Sequence, residues 1–329
     1  MKSNKLINIG VLGIASIATR YVIPAINLLP EQFTLYGLAS RTPSKANSAA
    51  ELFKTNAFHS YEALLDDDTI NAVYIPLPNS LHYKYVKMAL EKGKHVLVEK
   101  SMGCNLNEVI ELDKIAKEKG LILLENFQFR FHSQITTIQA MINEGIIGEL
   151  RSMRVSFGFP PFQDDQNIRY KPMLGGGALL DVGAYAMKIT PIFLGNKLNI
   201  VQASWYIDKE KNVDIWGQGV IQKFNSNLCC QFAFGFDNSY QCILELWGSK
   251  GKLATNRIFT APPNYQPQII LETNKGTENI DLPEDNHFKN ILSYFHKSIG
   301  EPSLAESEYQ QNILQAELIE SFKKIVTQK

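Results

Sequence analysis

Several features that would classify a chain at once are scarce here. There are four cysteines in 329 residues, Cys104, Cys229, Cys230 and Cys242. Cys229 and Cys230 are adjacent in a strand-like run, where neighbouring side chains point to opposite faces, so the set has no metal-ligand spacing. This predicts reduced thiols in a cytoplasmic protein rather than a disulfide scaffold. The six histidines are scattered, which predicts no metal. Neither sign of charge is in excess: 33 Lys and Arg balance 33 Asp and Glu. Nothing basic points to nucleic acid, and no polybasic run points to a membrane surface. No run reaches the ~18 consecutive apolar residues of a membrane span. Internal repeats and low-complexity linkers are lacking too.

What is present is ordinary globular material, 45% apolar and 20% charged, at a length for which two domains are the natural expectation. One stretch invites a targeting reading. Lys2 and Lys5 precede "LINIGVLGIASIATR" (Leu6 to Arg20), roughly the shape of a secretory signal peptide. The following segment favours another reading. A second strand-like run, "FTLYGLAS" (Phe33 to Ser40), arrives after a helix-length interval, giving strand, turn, helix and strand within about forty residues, the size of one βαβ unit. Gly10 then lies in the strand, and Gly13 lies where the strand turns into the helix.

Alternation of strand and helix continues to about residue 125. A helix starts at Thr42-Pro43 and runs through Phe53. The strand "NAVYI" (71–75) is followed by a helix with Asn79 as its N-cap and Gly93 past its end. The strand "HVLVE" (95–99) is followed by a helix opened by an Asn105–Glu108 capping box and closed at Gly120, and then by the strand "LILLE" (121–125). This is the pattern of a doubly wound parallel sheet, an α/β Rossmann domain. After a helix near 133–145, long β-rich runs take over, from "ELRSMRVSFGF" to "YQCILELWG", separated by short turns, and a helix from about Ser303 to Val326 ends the chain. The second part therefore reads as α+β with a large, mostly antiparallel sheet. The expected domains are 1–125, dinucleotide-binding, and 126–329, substrate-binding and oligomerising.

Gly13-Ile14-Ala15-Ser16-Ile17-Ala18 reads G-x-A-x-x-A where the dinucleotide fingerprint is G-x-G-x-x-G/A. Alanine at the second position adds one methyl beside the pyrophosphate, while the helix N-terminus still offers N–H groups and a positive dipole end. Gly13, Ala15, Ser16 and Ile17 are the expected phosphate cradle. The second strand ends Ala39-Ser40-Arg41-Thr42, without the acid that would accept the ribose 2′-OH of NAD(H). Arg41 can pair with a 2′-phosphate and Ser40 can donate to it, so NADP(H) is preferred over NAD(H).

Ligands of open α/β sheets bind beyond the carboxyl ends of the strands. Two stretches end strands there, "YIPLPNSLHY" (Tyr74 to Tyr83) and "VLVEKSMG" (Val96 to Gly103). Pro76, Asn79, His82, Glu99, Lys100 and Asn126 are expected to line the cofactor, with Asn79 and His82 at the nicotinamide ribose. Phe127, Phe129 and Phe131 read as core or wall. A third stretch, "NIRYKPMLGGGALLDVGAY" (Asn167 to Tyr185), belongs to the second domain.

These residues carry a resemblance that covers essentially the whole chain, to the "WGSKGKL" turn (Trp247 to Leu253) and the final helix. The chain resembles the glucose–fructose oxidoreductase / inositol dehydrogenase family. That family's E-K-P motif matches Glu99-Lys100, with Ser101 in place of proline, and its G-G-x-L-x-D-x-G-x-H/Y motif matches Gly176 to Tyr185. The resemblance implies a Rossmann domain, an open antiparallel sheet domain and an active site between them. It carries the catalytic lysine to Lys100, the aspartate to Asp181 and the acid/base to Tyr185. Arg169, able to grip a diphosphate or a sugar hydroxyl, and Tyr170 are further candidate substrate residues beside Asp181 and Tyr185. A tyrosine of pKa ~10 is a reluctant acid, and a lysine ammonium nearby stabilises its phenolate. With "FGFPPF" (Phe157 to Phe162), the motifs look most like NADP-dependent 3-ketoreductases of deoxysugar biosynthesis. Similar motifs occur in xylose dehydrogenases, anhydrofructose reductases and dihydrodiol dehydrogenases. The expected partners are a sugar or nucleotide-sugar substrate and a second copy of the chain, as a homodimer or homotetramer. A non-catalytic NADP-binding regulator is the alternative of a different class.

Overall fold

The computed structural model describes residues 6–328; Lys2 and Lys5 lie outside them. The chain forms two compact units. One comprises the residues through Asn126 together with Phe288–Ile313, and the other comprises Phe127–His287 and the residues from Leu314 on.

The first unit is built on six parallel strands: β1 (Ile7–Leu12), β2 (Phe33–Ala39), β3 (Asn56–Phe58), β4 (Ala72–Ile75), β5 (His95–Val98) and β6 (Leu123–Glu125). Their order is β3-β2-β1-β4-β5-β6. Strand order reverses between β1 and β4, the switch point of a doubly wound sheet. β4 is buried at all four positions, the continuous apolar run expected of a strand covered on both faces. The helices are α1 (Ile23–Asn27), α2 (Pro43–Phe53), α3 (Tyr61–Asp66), α4 (Asn79–Glu91) and α5 (Leu106–Lys119). α1 continues a helical run that begins at Ser16 and passes through a wide π turn, Ala18–Val22. The turn ends two residues before Pro24, which has no N–H to give and whose ring clashes with a regular preceding turn.

Two expectations about helix ends are corrected. Asn79 is the first residue of α4 and not its cap: Pro78, extended at ψ 147°, holds the N-cap position, and its carbonyl accepts from Leu81 N. At α5 the Asn105 side chain does accept from Glu108 N, but Glu108 Oε2 reaches back to Cys104 N, one residue before the cap.

The second unit contains α6 (Ser133–Asn143), α7 (Ala184–Leu194) and an eight-stranded sheet. Its strands are β7 (Leu150–Gly158), β8 (Leu198–Asp208), β9 (Val213–Lys223), β10 (Cys229–Gly235), β11 (Gln241–Gly248), β12 (Gly251–Asn256), β13 (Gln268–Thr273) and β14 (Gly276–Asp281). The order is β14-β13-β12-β11-β7-β10-β9-β8, antiparallel throughout except for the interior pair β7–β10, which is parallel. Phe232 and Phe234 turn inward and pack on Phe322 of the last helix. The stretch Pro172–Leu194 has the length and composition of a membrane span, with a mean hydropathy of 1.3 over its most apolar window, but 78% of that window is buried inside the protein, as in a core helix.

α8 (His287–Gly300) and α9 (Pro302–Thr327) close the chain. Most of α8 and the first half of α9 belong to the first unit, so the second part of the sequence is not one continuous domain. The reason is aromatic and polar anchoring. Phe288 stacks on Tyr21 with centroids 4.8 Å apart, Phe295 stacks on Phe33, and Asn312 Nδ2 donates to Asp113 Oδ1 and Leu123 O. Phe295 is fully buried. Phe295→Ala should therefore cost about 3–5 kcal/mol in urea unfolding. Leu52→Ala, at a well-exposed position of α2, should stay within about 0.5 kcal/mol.

Candidate active site

Every strand of the first sheet ends on the same edge, and the expected cofactor residues gather there. Gly13 follows β1 with φ +113°, and a Cβ on it would lie 2.8 Å from Leu77 of the β4–α4 turn. This is the close approach that requires glycine. Its N–H donates to Ala39 O, and the helical run starts within three residues. The first N–H groups of that run, around Ala15, Ser16 and Ile17, have no intrahelical partners and suit a pyrophosphate. Ser40 and Arg41 follow β2. Ser40 is buried, and its Oγ accepts from Thr42 N, which leaves the hydroxyl proton to donate. Arg41 is exposed and reaches the Tyr61 hydroxyl. Burial raises the Tyr61 pKa, and Arg41 opposes that rise.

The β5 end carries the densest polar network. Glu99 is held at Oε1 by the Tyr74 hydroxyl (2.7 Å) and by Asn126 Nδ2 (2.5 Å); burial pushes its pKa up. Asn126 Oδ1 is buried and takes no hydrogen bond among the described residues, an acceptor left for a ligand's donor. Lys100 follows, half-buried, and the Lys100–Ser101 peptide bond is cis. Two neighbours grip the backbone beyond it: Glu125 Oε1 accepts from Met102 N (2.9 Å), and His82 Nδ1 lies 2.7 Å from Ser101 O.

His82 does not line the ribose as expected. Its ring is fully buried, and its other nitrogen, Nε2, lies 2.7 Å from Leu77 O, so both nitrogens face backbone carbonyls. Burial pushes its pKa down to about 4. The neutral ring then has one proton to share between the Leu77 and Ser101 turns.

In the second unit, Asp181 and Tyr185 lie on one helical segment that opens as a π turn (Leu179–Gly183) and continues as α7. Asp181 Oδ2 accepts from Arg169 Nε at 2.5 Å, and the Arg169 guanidinium lies 5.0 Å from the Phe162 ring. Arg169 is thus committed to Asp181 and does not stand alone as a substrate grip. Tyr170 is turned inward, and its hydroxyl accepts from Phe162 N, tying down the "FGFPPF" loop. Tyr185 is 7% exposed, inside a ring of phenylalanines. Phe127, Phe157, Phe259 and Phe129 lie at centroid distances of 5.2, 5.1, 5.0 and 5.7 Å. Phe127 and Phe129 are wall residues, as expected. Phe259 was not legible, since it lies in an irregular stretch between β12 and β13 with no motif around it. Asp214 of β9, which accepts from Leu179 N, was missed because it reads as one polar residue in a β-run and its direction depends on a slip in strand register.

Residues 7–127 match the oxidoreductase family with an NAD-binding Rossmann fold, and residues 135–254 match the GFO/IDH/MocA C-terminal domain. The chain is 35% identical to a dTDP-3,4-didehydro-2,6-dideoxy-alpha-D-glucose 3-reductase of Streptomyces antibioticus, over 94% of each chain. A 3-ketoreductase from Actinomadura kijaniata, crystallised with NADP and TDP-benzene, superposes with a TM-score of 0.94 at 34% identity over 98% of both chains. An NADP-dependent D-xylose 1-dehydrogenase of Haloferax volcanii is 32% identical over 87% of each chain. The Rossmann sheet, the large mostly antiparallel sheet and both motifs agree with these matches, and the chain belongs to the GFO/IDH/MocA family of oxidoreductases.

Proposed function

We propose that the protein uses NADPH to reduce the C3 ketone of a dTDP-linked 3,4-diketo-2,6-dideoxyhexose in the cytoplasm. The observation that carries this reading is near-complete coverage, in sequence, of a 3-reductase of such a sugar and, in structure, of a 3-ketoreductase crystallised with NADP and TDP-benzene; Lys100, Asp181 and Tyr185 in the two sequence motifs support it. The 32% identity to a xylose dehydrogenase supports the second reading, oxidation of a free sugar.

When bound, NADPH supplies the hydride that reduces the ketone carbon. The N–H groups after Gly13 cradle the pyrophosphate, and Arg41 with Ser40 takes the 2′-phosphate. Tyr185 gives its phenolic proton to the oxygen that becomes an alkoxide. Lys100 stabilises the developing negative charge from a backbone that is held rigidly. Asp181, paired with Arg169, orients substrate hydroxyls beside Tyr185. Turnover of dTDP-linked keto sugar with NADPH tests the reading. Oxidation of xylose with NADP and no ketoreduction would favour the second reading, and stoichiometric NADPH binding without turnover of either would make the protein a regulator.

The self-association we propose uses the outward face of the eight-stranded sheet. Trp247 is 57% exposed there, Tyr206 stacks on Trp216 at 5.8 Å, and Arg154, Glu245, Lys252 and Glu272 form a ladder of alternating charge across four strands. An apolar face with a self-complementary charge ladder suits a second copy of itself.

Three measurements follow. Arg41→Ala should weaken NADPH binding by about 1.5–3 kcal/mol and leave NADH binding unchanged; equal losses would show that Arg41 does not read the phosphate. Tyr185→Phe should cost about 10²–10⁴ in kcat with NADPH affinity kept, Lys100→Ala a similar factor, and the double variant far less than the product. Sedimentation at micromolar concentration should give a dimer or tetramer that Trp247→Glu dissociates; a wild-type monomer would end that proposal.

A further inference from the structure

β8 and β9 fall out of step beside the turn that joins them. Tyr206 pairs with Trp216, yet the next residue, Ile207, pairs with Asp214, so Ile215 is an extra residue, a β-bulge. Along the regular part of β9, Gly217 and Gly219 face inward onto Phe234 and Phe232, and Trp216 faces solvent. Strict alternation would send Asp214 outward with Trp216. The bulge turns it inward instead, and Asp214 Oδ2 accepts from Leu179 N at 2.5 Å, with Ala178 N–H as a second donor. These are the first residues of the helical segment that carries Asp181 and Tyr185.

The glycine loop before that segment is cut to fit the carboxylate. Gly177 has φ +114°, and a Cβ on it would lie 2.2 Å from Asp214 Oδ1. On its other side, a Cβ on Gly176 would lie 2.5 Å from Arg169 O, and Gly177 N donates to that same carbonyl. The loop is thus clamped between Asp214 and the backbone of Arg169, whose side chain holds Asp181. A helix start could be capped from within its own sequence; this one is capped from a strand 35 residues away.

We propose that Asp214 is a positioning residue for the reduction: by holding the Leu179 and Ala178 N–H groups it sets the placement of Asp181 and Tyr185, and losing it slows the chemical step more than it weakens substrate binding. The inference rests on the reading of Tyr185 as proton donor. The charged group acting on Asp214 is Lys323 of α9, which favours the carboxylate. Asp208, at the β8–β9 turn, is occupied by Glu210 N and Lys211 N. Burial outweighs Lys323 and holds the Asp214 pKa up at about 6. Protonation below that value removes the better acceptor.

The test is kcat and KM against pH for wild type, Asp214→Asn, Gly177→Ala and Tyr185→Phe, using the dTDP-linked keto sugar and NADPH. Wild-type kcat should fall on the acid side with an apparent pKa near 6. Asp214→Asn should lower the plateau kcat about 10- to 100-fold with KM nearly unchanged, and should lose that acid limb. Its thermal stability at neutral pH should not drop. A carboxyl whose folded pKa exceeds its unfolded one contributes stability below the unfolded value and loses it as pH rises through about 6, so the amide removes a charge already penalised at neutral pH. Gly177→Ala, which pushes a methyl against the other carboxylate oxygen, Oδ1, should reproduce the kcat loss and keeps the test open where the amide variant fails to fold. An unchanged plateau with an unmoved acid limb in Asp214→Asn, beside a collapsed Tyr185→Phe, would overturn this inference alone. Near-wild-type turnover in Tyr185→Phe would overturn the reading beneath it.

Discussion

A carboxyl group buried at the end of β5 is the constraint on which the first unit's chemistry depends. Glu99 cannot be left unpaired there, because an unsatisfied buried acceptor costs about 1–3 kcal/mol and a charged one more. It is satisfied by Tyr74 from β4 and Asn126 from the end of β6, so one oxygen ties three adjacent strand ends together. Lys100 is the next residue. Its backbone is then held again by His82, which faces Ser101 O, and by Glu125, which accepts from Met102 N. The family's proline would restrict this turn through its ring. Here Ser101 stands at that position, and buried side chains from β4, α4 and β6 supply the restriction.

The second unit solves the same problem differently. Tyr185 sits on a helix, where four phenylalanines pack edge-on or tilted against the phenol ring. Asp181 sits on the π turn before it, and Arg169 from the preceding loop fixes its carboxylate. Among the described residues, wide helical turns appear at Ala18–Val22 and at Leu179–Gly183. The first follows directly on the residues expected to meet the pyrophosphate, and the second contains Asp181 and runs into Tyr185, the kind of place where π bulges commonly occur.

Much of the architecture was readable because the first unit speaks in strong local signals. Buried strands such as β4 and β5 are short apolar runs, and α2, α4 and α5 carry Pro, Asn or Gly at their ends. The elements that escaped lack such signals. β14 is exposed at nearly every position, so its sequence shows no alternation. β3 and α3 span three and six residues, too short for a period to register. The return of α8 to the first unit depends on aromatic pairs more than 250 residues apart in sequence, such as Tyr21 with Phe288, and no local pattern reports such a pairing.

The site divides along the same line. Residues proposed to act through their own chemistry were marked in the sequence: Gly13 for its backbone, Arg41 for its charge where an acid would stand, and Lys100, Asp181 and Tyr185 through their motifs. Residues that act through geometry were not. His82 looked like a ligand contact because a histidine after a strand end is usually read for its ring. Its surroundings, two carbonyls at 2.7 Å on opposite nitrogens, make it a tie between turns. Asp214 looked like one polar residue in a β-run, since its direction depends on a one-residue slip between strands. A period of two predicts which face a residue occupies only while the register holds. The device that aims Asp214 is the interruption itself, so a sequence pattern that assumes regularity points such a residue the wrong way.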